Sequence, residues 1–135
     1  MKKIALFFAL GMLLFADGYK EFARSMQYET NYEKALERAK AEGKNVMVLM
    51  ITNYCPWCTK FEKRTLSDAT IDTQIKAEYI PVIINKEEKN FPSFLNVPIV
   101  PTTFFIDSKE QKVLHQSVGF SNKADFATLL ESLRD

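Results

Sequence analysis

The chain is poor in the residues that build metal and haem sites. Of its 135 residues two are cysteines, Cys55 and Cys58, and one is a histidine, His115. A structural zinc site wants about four such ligands, and these three are the whole supply of the softer ones. Covalent haem attachment needs a histidine directly after the second cysteine, where this chain has Thr59. An excess of one charge is lacking too: 18 Lys and Arg face 17 Asp and Glu, which gives no electrostatic ground for binding nucleic acid. These absences predict no metal, no cofactor and no nucleic-acid partner. The longest apolar run, Ile4 to Phe15, is interrupted by Gly11 and is shorter than the roughly 20 residues of a membrane-spanning helix. No internal repeat or low-complexity linker divides the sequence, and its length suits one domain.

What is present starts with a leader. Lys2 and Lys3 precede the apolar run, and Ala16 offers a small residue before Asp17-Gly18, the layout of a secretory signal peptide over residues 1–16. An uncleaved anchor is the alternative, since Leu14 is not the preferred residue at the −3 position. No cysteine follows the run, so a lipoprotein anchor is excluded. The expectation is an exported, periplasmic domain over residues 17–135 with no stable membrane insertion after cleavage, in a compartment where disulfides form. A composition 47% hydrophobic and 26% charged is that of a folded protein rather than a disordered one.

Residues 17–29 show no dominant period. Thr30 and Glu33 read as a capping box opening a helix that buries Tyr32, Ala35, Leu36 and Ala39 and ends at Gly43. Asn45 to Thr52 reads as a buried strand, its unbroken apolar run Val46–Ile51 short and β-branched enough for one. Ser67 and Asp68 cap a further helix carrying Ile71 and Ile75, and Tyr79 to Ile84 reads as a second buried strand with Pro81 near its start. Lys86 to Asn90 reads as a solvated connection, and Phe91 to Asn96 as one helical turn. Thr102–Ile106 and Val113–Val118 predict a hairpin, its second strand polar enough for an edge. The last helix, from Asn122 to Arg134, lines up Phe126, Leu129, Leu130 and Leu133. Strands alternating with helices and ending on a hairpin and a helix predict an α/β fold, a central mixed sheet of about four to five strands covered on both faces.

The chemistry concentrates at Tyr54-Cys55-Pro56-Trp57-Cys58. A C-x-x-C pair at the exit of a buried strand and the start of a helix is a redox arrangement: free backbone N–H groups and the helix dipole favour a thiolate at Cys55. Cys58, one turn further in, is shielded and placed to resolve a mixed disulfide. Pro56 fits the opening turn, where its missing N–H is not needed. So small a loop stabilises a fold little, so the pair reads as catalytic rather than structural. His115 reads as a surface or packing residue of its strand, and Pro92 and Pro98 as loop prolines.

Cys55-Pro56-Trp57-Cys58 together with Val100-Pro101-Thr102-Thr103-Phe104 resembles the thioredoxin superfamily, and in particular its small secreted bacterial members. The resemblance implies a thioredoxin fold in which Pro101 is cis and faces the cysteines, with the backbone of Val100 pairing with an extended client segment. It implies that Tyr54, Trp57, Val100, Gly119 and Phe120 ring the sulfur pair as an apolar rim for loosely folded proteins. Electrons would then come from a thiol-transporting membrane protein, and the partners would be thiol and disulfide proteins. One departure stands out. Thioredoxins carry a buried Asp six residues before the first cysteine, where this chain has Leu49, and the Lys that accompanies it is replaced by an apolar residue around Ile83. Glu62 or a bound water is then left to stand in as proton carrier. The leading expectation is an exported thiol–disulfide oxidoreductase, and the uncharged Pro56-Trp57 pair points to a reductant or a protein of middling potential. A thioredoxin-fold binding module or chaperone without redox turnover is the alternative, and a copper- or zinc-handling protein a third.

Overall fold

The computed structural model describes residues 18–134; the leader expected over residues 1–16 lies outside the described residues. A helix, α1 (Gly18–Met26), comes first, where no period had been legible. It is followed by α2 (Tyr32–Glu42), β1 (Asn45–Ile51), α3 (Pro56–Phe61), a π turn (Glu62–Leu66), α4 (Ala69–Glu78) and β2 (Tyr79–Asn85). Two 3-10 turns, Lys86–Glu88 and Ser93–Leu95, lead to the hairpin of β3 (Thr102–Ile106) and β4 (Val113–Val118), and α5 (Lys123–Ser132) closes the described chain. The sheet order is β2-β1-β3-β4. β1 runs parallel to β2 and antiparallel to β3, and β3 antiparallel to β4. None of the described helices is long and apolar enough to cross a membrane.

The caps explain most helix ends. Asn31, in extended conformation, accepts from the Lys34 N–H at 2.9 Å and starts α2, with Gly43 at φ 66° ending it. The N-cap is therefore Asn31 and not the expected Thr30; Glu33 falls one position short of the capping-box site, so the reciprocal bond is not made. Asp68 accepts from the N–H groups of Thr70 and Ile71 and opens α4, and Asn122 accepts from Asp125 and opens α5.

β1 divides the core. Met47, Leu49 and Ile51 face one side of the sheet, with Ile83, Phe105, Phe61, Phe126 and Cys58 under α1, α3, α4 and α5. Val46, Val48 and Met50 face the other, with Val82, Phe104, Leu95 and the apolar side of α2. Each fully buried side chain of this size contributes about 1.5–3 kcal/mol. Pro81 sits within β2 opposite Met47, and its carbonyl turns away from β1 to accept from the Glu29 N–H at 2.9 Å. The Glu29 carbonyl in turn accepts from Ile83 at 2.9 Å. A ladder position facing away from the neighbouring strand is where a proline costs the sheet nothing.

Candidate redox site

All the loops that carry the sequence-selected residues meet at one end of the sheet. Met50 pairs with Thr102 and Thr102 with Val118, so the end of β1, the start of β3 and the end of β4 lie level. The parallel strand β2 ends there as well, where Asn85 Nδ2 donates to Asn53 Oδ1 at 2.8 Å. Cys55 occupies the N-cap of α3, its Sγ accepting from the Cys58 N–H at 3.1 Å. Pro56 is the first helical residue. The cysteines are joined, Sγ to Sγ 2.18 Å, with Cα atoms 5.2 Å apart. Cys55 is half-buried and Cys58 only 3% exposed, so an incoming group meets the first sulfur. The Cys58 N–H and the dipole of the helix are aimed at that same sulfur, the arrangement that favours its thiolate.

The remaining selected residues divide between two sides of the pair. Tyr54 is 98% exposed and takes φ 53°, a left-handed conformation that costs an aromatic residue about 1–2 kcal/mol. It is held by a clamp that sequence reading missed. Glu87 accepts from Thr52 Oγ1 and Asn53 Nδ2, both at 2.5 Å, and Glu88 accepts from the Tyr19 hydroxyl. Glu87 to Asn90 are exposed, as expected, and Lys86 is half-buried, yet Glu87 fastens the loop before the cysteines, so the segment is more than a solvated connection. On the other side, Trp57 is 55% exposed and lies against Phe120, ring centroids 5.7 Å apart, with Lys60 Nζ 4.3 Å from its ring centre. Thr65 Oγ1 donates to the Ser121 carbonyl at 2.6 Å, which keeps Phe120 beside α3. The Val100–Pro101 peptide bond is cis, and the Pro101 carbonyl accepts from Gly119, itself at φ 89°. Val100 and Phe120 pack against the same core cluster as Cys55. His115 lies on β4 with its ring toward Phe105.

Behind the sulfurs the buried described residues carry no carboxyl, with one exception. Leu49 is fully buried between Ile83 and Thr103 in the cluster that holds Cys58, as its place in the sequence suggested. The exception is Glu62, 9% exposed at the start of the π turn. Its carbonyl accepts the wide turn's closing N–H from Ser67 at 2.9 Å. Burial pushes its carboxyl up to about 7, against a smaller opposing pull from Lys63. Glu62 opens into a groove of about 820 Å³ between α1 and the cysteine loop, lined also by Tyr19, Phe22, Tyr54, Cys55 and Cys58. Among the described residues no cluster of three or more His, Cys, Asp and Glu is arranged to hold a metal ion.

Residues 32–134 match the family described as a thioredoxin-like domain. The thiol:disulfide interchange protein DsbD of Yersinia pestis is 30% identical over 99 residues, covering 70% of this chain and 17% of that protein. This chain thus spans less than a fifth of the length of such relatives. Among solved structures, a thioredoxin from Thermus thermophilus superposes with a TM-score of 0.69 at 24% identity, over 78% of this chain and 85% of that one. The oxidised C-terminal domain of Neisseria meningitidis DsbD gives 0.64 at 18% identity, over 79% and 99%. Both share the fold.

Proposed function

The chain belongs to the thioredoxin-like family, and from that premise we propose that it is an exported thiol–disulfide oxidoreductase that reduces or exchanges disulfides in periplasmic proteins. The observation that carries this reading is the cysteine pair itself: Cys55 is the reachable sulfur at a helix N-terminus and Cys58 the covered one, within bonding distance. The Cys55 thiolate attacks a client disulfide, whose bond breaks to give a Cys55–client mixed disulfide and release the client's other sulfur as a thiolate. Cys58 then attacks Cys55, the Cys55–Cys58 bond forms, and the client leaves with the electron pair of its broken bond. Cys58 must lose a proton to do this, and Glu62, lining the same groove and titrating near neutrality, is its acceptor. Tyr54, Trp57, Val100, Pro101, Gly119 and Phe120 form the rim on which the client backbone lies. The reduced pair is regenerated by a thiol-transporting membrane protein, and export follows from the Lys2-Lys3 leader.

Insulin reduction by the mature protein tests the activity. Wild type should precipitate the insulin B chain with a thiol donor present, and Cys55→Ser should abolish this. Cys58→Ser should accumulate mixed disulfides. A protein that binds unfolded clients equally well with Cys55→Ser and reduces nothing would be a binding module instead.

A further inference from the structure

Lys86, Glu87 and Glu88 form one 3-10 turn directly after β2, and each sends its side chain to a different segment around the cysteines. A 3-10 turn has about three residues per revolution, so three consecutive side chains leave in three directions. Lys86, half-buried, donates from Nζ to the Val97 carbonyl, in the loop that runs on to Val100 and Pro101. Glu87 accepts from Thr52 Oγ1 and Asn53 Nδ2, in the loop that runs on to Cys55. Glu88 accepts from the Tyr19 hydroxyl on α1. The turn itself is fixed from behind. Asn85, 4% exposed, accepts from the Glu87 N–H at 3.0 Å and donates from Nδ2 to Asn53 Oδ1 at 2.8 Å. Bonds with one ionised partner, as the three outward arms make, are about twice as strong as neutral ones.

Two of these arms reach the two sides of the reaction. Met50 pairs with Thr102, so β1 and β3 bring both loops to the same level, and there the ladder between them ends. Val97 is buried, which fixes its side chain. The Lys86 bond fixes its carbonyl, and with it the direction in which the chain leaves for Val100. Glu87 does the same for the chain leaving for Cys55. The bond that the sulfur itself accepts comes from elsewhere, the Cys58 N–H at 3.1 Å.

We infer that the Lys86–Glu88 turn is a positioning element of the redox site, in which Lys86 and Glu87 hold the backbone that docks a client and the sulfur that attacks it at one fixed spacing. This rests on the proposed pairing of Val100 with an extended client segment. When the Cys55 thiolate attacks, the client disulfide breaks, one client sulfur joins Cys55 and the electron pair leaves on the other. A peptide laid along Val100 presents its disulfide at a set place, so its rate depends on where Cys55 stands relative to Val100. A small dialkyl disulfide reaches Cys55 without docking and is indifferent to that spacing.

The test is the reaction of the reduced protein with an uncharged disulfide-bridged peptide and, separately, with hydroxyethyl disulfide, at concentrations where the first attack limits the rate. The fluorescence of Trp57, the sole tryptophan, reports both. The ratio of the two second-order rate constants cancels any change in the thiolate fraction of Cys55. Wild type should favour the peptide. Lys86→Met, which keeps the stem and loses the donor, and Glu87→Ala should each lower the ratio roughly 3- to 10-fold, a small part of the about 10²-fold that a 1 Å misplacement can cost. The double variant should be little worse than either single one, since both release the same spacing. Glu88→Ala removes an equal charge from the same turn but frees only α1, and should leave the ratio unchanged. A Glu88→Ala ratio that falls as far as that of Glu87→Ala would mark general loosening and overturn the inference. So would an unchanged ratio in Lys86→Met and Glu87→Ala while wild type favours the peptide, a result that leaves docking at Val100 standing. A wild type with no preference for the peptide would remove that docking and the inference with it. One that reacts with neither disulfide would remove the proposed activity as well.

Discussion

The two faces of the sheet are made by the same strands and serve different ends. Under α2 the core is closed and apolar: Val46, Val48 and Met50 meet Ile80, Val82, Ile84, Leu95 and Phe104. Under the other four helices, Met47, Leu49 and Ile51 share their space with Cys58, the Tyr28 ring and the nearby carboxyl of Glu62. One face stabilises the protein with little polar content. The other gives up part of that stability to keep a titrating carboxyl near the sulfurs, the kind of local inconsistency that marks a working site.

The largest expected effects come from placing a carboxyl on each face in turn. Val48→Asp and Leu49→Asp should each cost about 4 kcal/mol or more at pH 9, where the buried acid must ionise or open the structure. Only Leu49→Asp should alter disulfide closure, because only it adds a carboxyl beside Cys58, and paired with Glu62→Gln it should restore part of the lost rate. Chemical denaturation and stopped-flow kinetics separate the two readouts. Equal kinetic effects from both variants would break the distinction between the faces.

A smaller effect is expected from Glu62 alone. Its folded-state value, about 7, lies above the 4.5 of an ordinary glutamate, so folding favours the protonated form. Below pH 4.5 both states are protonated and nothing is lost. As pH rises toward 7 the unfolded chain ionises first, and wild-type stability should fall by about 2 kcal/mol before levelling off. Glu62→Gln should flatten that slope, measurable from urea midpoints at a series of pH values. The smallest effect belongs to the rim where the faces meet. Glu87→Gln weakens two bonds to the loop before the cysteines and should cost about 1 kcal/mol or less. It should speed amide exchange at Asn53 and Tyr54 without changing the pH profile of closure.

Much of this was legible in sequence because strands and most helices here obey simple periods. β3 and β4 fall at their expected residues, β1 within one residue, and α4 and α5 begin at the caps that Asp68 and Asn122 advertise. The cysteine pair needed only its spacing, and the apolar residue at Leu49 stood out against the thioredoxin resemblance. α1 was missed although Tyr19, Phe22, Ala23 and Met26 have helical spacing, because Ala23 contributes little apolar signal and Tyr28 continues the run beyond the helix. Helix α2 starts at Asn31 instead of Thr30 because both residues can cap, and backbone conformation decides between them. Glu62 carries no mark of its burial: flanked by Phe61 and Lys63, it looks like any acid on a helix surface. The Glu87 clamp joins residues more than 30 apart, a distance no local pattern spans.

The strand pairing of Glu29 has a consequence for how this protein meets its neighbours in a crowded solution. On the outer side of β2, Glu29 takes up the Pro81 carbonyl and the Ile83 N–H, and Pro81 has no donor to offer. A foreign strand therefore finds few unpaired backbone groups at that border. β4 is the opposite border, a continuous row along Val113–Val118 with Leu114 and Val118 exposed. Accidental strand-to-strand stacking, the usual start of aggregation, is thus confined to one side of the molecule, and a lysine in place of Leu114 would be the economical place to suppress it.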